Sequence, residues 1–449
     1  MTAHAAASEL LDARTDVFAS GTFTWIAGIE DTCVYPPARF DMAPLDEHEL
    51  TGHNGAWRSD LAAVRELGAT ALRYGVDWPR VHLARHEYDW SSLDERLQYA
   101  ASLGLTVIAD LVHYGTPTWL DGSFADPAYP SAIAEFGGAF AKRYAGIVNH
   151  ITPLNEPITT ASFAGLRGVW PPALTGWDGW TRVVIGIADG IQQTIAAVRS
   201  ANPAASIVHV EASSLHSPDH ESLEDEARLL NRLGTIPTDL VLGMVSPGQE
   251  SYGWLVEHGA APETLASLAR AAVSIDILGI NYYPDLSPRL LVASQSGHTQ
   301  QAFDRWTEGL RATLHTFSDR YRLPMLITET SIEGSDELRA AWVRDSVETV
   351  RALAVEGLDI RGWTWWPVFD FVDWSYASNG RNVEEFVLPP EIVAARTSST
   401  SKEPYLRRMG LIRLEELANG ALRRIPTAAA TEYSKLAHGS LDGPDAAPG

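Results

Sequence analysis

The chain has 449 residues, 34 of them basic and 57 acidic, for a formal charge of −23. Such an acidic polymer repels phosphate backbones and anionic lipid, which argues against nucleic acid or membrane as a partner. Its 45% hydrophobic content excludes global disorder, and the lone Cys33 excludes a disulfide framework or a cysteine zinc site. The opening residues carry no basic segment followed by an apolar run, and no stretch nears the ~18 uncharged apolar residues of a membrane span. The expectation is a soluble, cytoplasmic protein. Fifteen tryptophans supply broad apolar faces, useful in cores and as platforms for sugar rings.

In chain order, β-type runs fall at residues 23–27, 71–75, 107–112, 148–154, 207–210, 275–280, 325–328 and 362–366. Several are unbroken apolar runs, as in strands buried on both faces of a parallel sheet. Helical patterns fill residues 55–67, 91–103, 131–144, 180–200, 223–233, 262–272, 301–320 and 336–355. Gly68, Gly104 and Gly357 stop three of them, and Ser335 caps the last, with Asp336 and Glu337 in its first turn. Eight strands alternating with helices predict an α/β fold, a single (β/α)8 TIM barrel. No Gly-rich dinucleotide loop or Walker A sequence follows any strand. The expected division is an N-terminal extension over 1–20, a catalytic barrel over 21–437 and a disordered tail over 438–449. Three patternless segments, 41–53, 287–299 and 379–404, follow the first, sixth and eighth strands. They should rise over the C-terminal face, where barrel enzymes carry their sites.

Two glutamates stand at strand ends that face each other across a barrel mouth. Glu156 ends the fourth strand in PLNEP, and Glu329 ends the seventh in LITET. A carboxyl pair flanking a bond is what glycoside hydrolysis requires, one to protonate the leaving oxygen and one to attack the anomeric carbon. Other strand ends add Arg73, His113 with Tyr114, Asn281-Tyr282-Tyr283, and the group Trp363, Trp365, Trp366, Asp370, Asp373 and Trp374. A buried arginine and a tyrosine hydroxyl beside a carboxylate lower its pKa and hold it ionised.

These segments resemble glycoside hydrolase family 1, the retaining β-glycosidases of the β-glucosidase type. LRYGVDWPRV (72–81) is similar to the family's YRFSISWSRI, and LVHYGTPTWL (111–120) to LYHWDLPQWL. PLNEP matches TLNEP from the Asn onward, LGINYYP (278–284) fits GINYYT, and LITETS (326–331) resembles ITENG. RGWTWWPVFDFVDWSYA (361–377) resembles GYFVWSLLDNFEWALGY. The resemblance implies Glu156 as acid/base and Glu329 as nucleophile, with Asn155 on the sugar 2-hydroxyl and Arg73 and Tyr283 holding the nucleophile. It implies His113 and Trp374 on the 3-hydroxyl side, Trp366 as the platform, and Asp373 where the family has a Glu gripping the 4- and 6-hydroxyls. It implies no cofactor and a small-molecule glycoside or oligosaccharide as substrate.

The departures concern the glycon. The family's first strand ends in Gln-x-Glu-Gly, whereas this chain reads Trp25-Ile26-Ala27-Gly28-Ile29-Glu30-Asp31 without the Gln; Glu30 or Asp31 is the candidate replacement. Tyr114 replaces a Trp, and Thr330-Ser331 replace Asn-Gly after the nucleophile. Four further readings carry less weight. His209, Glu211, His216 and His220 lack a metal-ligand spacing. Glu333 is a rival nucleophile deeper in its loop, Trp170 a candidate wall of the leaving-group subsite, and Cys33 an inert thiol. Three functions fit: a retaining β-glycosidase with an altered glycon pocket, a related barrel endo-glycanase or transglycosylase, and a non-catalytic carbohydrate-binding barrel.

Overall fold

The computed structural model describes residues 17–40, 42–294, 297–378, 391, 394 and 401–439. Eight parallel strands close into a barrel: β1 (Thr24–Gly28), β2 (Ala71–Gly75), β3 (Thr106–Asp110), β4 (His150–Thr152), β5 (Ser206–Ala212), β6 (Ile277–Asn281), β7 (Met325–Thr330) and β8 (Ile360–Trp365). Neighbours pair in sequence order, and β8 returns to β1 with Gly362 opposite Thr24, so the sheet has no free edge. The two-residue period of each strand sorts its side chains. Ile26, Ala71, Ile108, Val208, Ile277 and Leu326 form the inner cluster of the barrel. Trp25, Leu72, Val107, Leu278 and Ile327 join the larger cluster under the surrounding helices.

The inner cluster reaches into the segment expected to be an extension. Phe18 is buried within it, meets the His150 ring edge-on at 4.8 Å, and accepts a hydrogen bond at its carbonyl from Arg361 Nη1 at 3.0 Å. Both partners sit at strand starts, so residues 17–20 close the lower end of the barrel. Residues 1–16, residues 440–449 of the expected tail, and most of 379–400 lie outside the described residues.

The helical signals match local chemistry. Ser335 Oγ accepts from the Leu338 amide at 3.2 Å, capping helix Asp336–Val355. Gly68, Gly104 and Gly357 take φ of 99°, 81° and 108°, the left-handed region that ends a helix. The closing helix, Ala428–Gly439, packs on Asp336–Val355, and its Tyr433 hydroxyl donates to the Ile26 carbonyl at 3.0 Å. One expectation fails. Residues 301–302 are not helical: Pro288–Ser294 and Gly297–Ala302 form an antiparallel hairpin, which adds to Leu215–Pro218, and the helix spans Trp306–Tyr321. Gln300, Gln301 and Ala302 favour helix locally, but their backbone groups pair with Leu291, Leu290 and Arg289 instead. No helix among the described residues is long and apolar enough to cross a membrane.

Candidate active site

The mouth of the barrel holds a cavity of about 810 Å³, and Glu156 and Glu329 both line it. Glu329 projects from β7 and is 3% exposed. One carboxyl oxygen receives Arg73 Nη1, and the other receives the Tyr283 hydroxyl at 2.6 Å. Arg73, fully buried on β2, gives its other terminal nitrogen to Asp110 and to Asn155 Oδ1, the latter at 2.7 Å. The donors expected around Glu329 therefore meet it and favour its charged form, in opposition to burial. Burial outweighs the pull of Arg73, the charge of Glu156 adds to it, and the Glu329 carboxyl is pushed up to about 8.

Glu156 follows β4 with backbone φ 46° and ψ 71°, a left-handed conformation that is costly for a residue with a Cβ. It turns the side chain into the mouth, where the Tyr114 hydroxyl donates to Oε2 at 2.5 Å and Asn281 Nδ2 to Oε1 at 2.8 Å. Tyr114 itself takes φ 71°. Behind Glu156, Glu211 of β5 accepts the Ile158 and Ala212 amides at 3.1 and 3.0 Å. Its burial pushes it well above the usual carboxyl range, against the two amides that favour its charged form.

The groups expected to read the sugar divide. Trp366 lies parallel to the His113 ring at 5.6 Å, and the Arg73 guanidinium stands 4.7 Å from its ring centre. Its indole rests on Gly28, where a Cβ would come within 1.9 Å of the ring. Trp366 Nε1 donates to Glu30 Oε2 at 2.8 Å, and Thr32 donates to Glu30 Oε1 at 2.6 Å. Glu30 thus fronts the cavity, whereas Asp31 is buried against His113. Asp373 lines the cavity, but Ser375 donates its amide and hydroxyl to Oδ1 at 3.0 and 2.5 Å, and Arg407 Nη1 donates to Oδ2 at 3.3 Å. Trp374 also lines the cavity and packs on Tyr114, Phe163 and Trp170.

The outer half of the cavity is lined by Phe163, Leu166, Trp177 and Trp180 on the apolar side. His216, Arg289, His298 and Gln300 come from the sheet that the hairpin forms with Leu215–Pro218. Trp170 is not a wall of this cavity. It is 1% exposed and stacks on Phe163 at 4.3 Å, in the cluster behind it. Glu333 is taken by Arg407 Nε at 2.7 Å and is not among the residues that line the cavity. Burial pushes the Cys33 thiol well up, which fits an inert side chain.

Among the described residues, Asp31, Asp110 and His113 are the carboxylate and imidazole groups close enough together to invite a metal. His113 Nδ1 and Asp31 Oδ1 are 2.5 Å apart, tighter than two ligands of one ion, which at ~2.1 Å bond lengths sit about 3 Å from each other. Arg73 already occupies Asp110, so the cluster suits protons rather than a cation. His209, Glu211, His216 and His220 form no such group.

Asp110 and Arg407 are site residues that pattern reading missed, and Asn281, noted there only as a strand end, is a donor to Glu156. Asp110 had a signal, a charge inside the apolar run VIADLV. Arg407, more than thirty residues beyond the last barrel strand, had none.

Comparison with known proteins gives the class. The profile of glycosyl hydrolase family 1 matches residues 51–387. The bifunctional β-D-glucosidase/β-D-fucosidase of Bifidobacterium breve is 23% identical over 417 residues, covering 77% of this chain and 86% of that protein. β-Glucosidase A of Thermotoga maritima is 22% identical over 355 residues, covering 72% and 79%. A solved Thermotoga maritima β-glucosidase in complex with glucoimidazole superposes with a TM-score of 0.74 at 16% identity, covering 94% of this chain and 98% of that one. The protein is a glycoside hydrolase of the retaining class, built on a (β/α)8 barrel. It belongs to glycosyl hydrolase family 1.

Proposed function

We propose that the protein hydrolyses β-linked glycosides with Glu329 as nucleophile and Glu156 as acid/base, and that its glycon site does not depend on a 6-hydroxyl. The observation that carries the roles is the asymmetry of the pair. Glu329 touches the buried guanidinium of Arg73, whereas Glu156 touches only the neutral donors Tyr114 and Asn281. The reacting form carries one proton on the pair, on Glu156, with Glu329 ionised against Arg73. In the first step the Glu329 carboxylate attacks the anomeric carbon, the glycosidic C–O bond breaks, and the Glu156 proton passes to the leaving oxygen. The sugar is then held as an ester of Glu329. In the second step Glu156 takes a proton from water, the water oxygen attacks the anomeric carbon, and the ester bond breaks to return the Glu329 carboxylate. Two inversions leave the anomeric configuration unchanged. Arg73 stays paired with Glu329 or Asp110 throughout, so no buried charge is left without a counterion.

The glycon reading is supported by Asp373. Its two oxygens are engaged by Ser375 and Arg407, and it is one methylene, about 1.5 Å, shorter than the Glu of the resemblance. A site without a committed partner for a hydroxyl discriminates weakly for or against it. One of the relatives is named for action on both glucosides and fucosides, sugars that differ by an oxygen at C6 and in configuration at C4. A panel of aryl β-glucoside, galactoside, fucoside, xyloside and mannoside tests the reading. Turnover with retained configuration is expected, and no turnover on any member, or an inverted product, refutes it.

A further inference from the structure

The turn that carries Glu156 is held from both neighbouring strands. Asn155 donates its amide to the Val112 carbonyl, just past β3, at 2.9 Å, and Glu156 donates its own to the Val210 carbonyl of β5 at 3.2 Å. Pro157 has no amide to give. Ile158 gives its amide to a side chain, Glu211 Oε1 of β5, at 3.1 Å. The same oxygen accepts the Ala212 amide at 3.0 Å, which ties the carboxyl to its own strand. The Thr160 amide returns to the Glu156 carbonyl at 2.9 Å and closes the helical turn Pro157–Ala161. Two consecutive residues of β5, Val210 and Glu211, therefore grip the chain on either side of Glu156, one by its backbone and one by its side chain.

That grip opposes a strain. Glu156 sits at φ 46° and ψ 71°, and a residue with a Cβ relaxes out of that region unless the chain on both sides is fixed. Relaxation would swing its side chain away from the Tyr114 hydroxyl and Asn281 Nδ2, which orient the carboxyl. Glu211 is itself costly where it stands. It is 0% exposed, and its Oε2 meets no donor among the described residues. An apolar side chain would avoid that cost and leave the Ile158 amide without its acceptor. Glu211 is not among the residues that line the cavity, so it acts on the turn and not on a ligand.

We propose that Glu211 is a positioning residue for the acid/base: by holding the Ile158 amide against β5 it keeps the Glu156 turn left-handed, and so keeps the Glu156 carboxyl aimed at the leaving-group oxygen. The proposal rests on reading Glu156 as the acid/base, and it adds a residue to which the family resemblance gives no role. Only proton transfer depends on that aim. Loss of Glu211 is therefore felt where a leaving group needs the proton, and again where water needs the base.

The test compares Glu211→Leu, Glu211→Asp and Glu211→Gln in the full chain, on phenyl and 2,4-dinitrophenyl glycosides of one sugar. Leu removes the acceptor, Asp withdraws it by about 1.5 Å, one C–C bond, and Gln keeps an oxygen within reach of Ile158. Leu and Asp should lower kcat/KM for the phenyl glycoside about a hundredfold, the cost of an ångström of misplacement, and leave the dinitrophenyl glycoside within about threefold. For the dinitrophenyl glycoside kcat and KM should fall together, and azide, which needs no base, should raise kcat. Gln should keep the phenyl value within about threefold of wild type. Equal loss on both substrates would make Glu211 merely structural and overturns the proposal. Leu and Asp as fast as wild type on the phenyl glycoside, or Gln as slow as Leu, overturns it as well. One measurement needs no folded Glu211 variant. In wild type labelled with 15N-isoleucine, the Ile158 amide, assigned by its loss in Ile158→Val, should exchange as slowly as core amides, and rapid exchange overturns the proposal. Glu156→Ala separates the two readings. If it shows no leaving-group selectivity, the acid/base assignment fails; if it does and the Glu211 variants do not, only this proposal fails.

Discussion

Replacing Glu329 by Gln removes a carboxyl that the fold keeps protonated up to about pH 8, against an ordinary glutamate value of 4.5. Between those values the folded protein binds a proton that the unfolded chain has lost. The stability this group contributes is therefore complete below about pH 4.5 and is lost as pH rises through 8. At about 1.4 kcal/mol per decade the full span corresponds to about 5 kcal/mol. The carboxyl is 3% exposed, so solvent screens little of it. Glutamine has the same shape, still accepts from Arg73 and has no proton to lose, so whatever contacts it forfeits are forfeited at every pH. The stability of Glu329→Gln relative to wild type should thus grow by about 4 kcal/mol from pH 5 to pH 9. For a chain of this size that is a rise of about 4 °C in relative melting temperature. Thermal or urea unfolding of both proteins across that range, at fixed ionic strength, reads the difference. Titrating groups that do not touch Glu329 cancel between the two proteins, and the rise with pH, set by the largest shift, carries the test. A difference that stays constant with pH refutes the claim that burial beats Arg73 at this carboxyl.

Three further predictions concern turnover. Glu329→Gly should abolish hydrolysis, and azide or formate should restore some of it with an inverted product; a 2-deoxy-2-fluoro glycoside that labels Glu333 or Glu156 would contradict the assignment. Glu156→Ala should slow poor leaving groups by about 10²–10⁴ while sparing activated aryl glycosides, and should remove the basic limb of the pH profile of kcat/KM. An unchanged limb would assign that proton to another group. The kcat/KM for an aryl β-glucoside should lie within tenfold of the matching β-fucoside and β-xyloside. A larger preference for glucose would mean that Asp373 is drawn back to the sugar when substrate binds.

The sequence by itself determined most of the frame. Eight apolar runs with helical patterns between them specify a barrel, because strands buried on both faces need that alternation. Glu156 and Glu329 are legible because a strand ending in a charge after an apolar run marks the mouth. Asp110 was legible in principle, being the one charge within VIADLV. The hairpin over residues 288–302 was not, because Gln-Gln-Ala has no strand signal, and the strand it pairs with, Pro288–Ser294, is itself seated on Leu215–Pro218, some seventy residues earlier. Nor was Phe18 as the lower plug, since one phenylalanine in a polar stretch has no periodicity to report it. The protonation of the site was decided wholly by tertiary structure. Residue types suggested that Arg73 would ionise Glu329, but the result depends on how much water the fold removes and on sharing Arg73 with Asp110. The same holds for Glu30 and Asp31. They are adjacent carboxylates in sequence, and only the turn after β1 sends one to Trp366 and the other beneath His113. Strand order follows from local pattern, whereas charge state depends on burial and on neighbours distant in the chain.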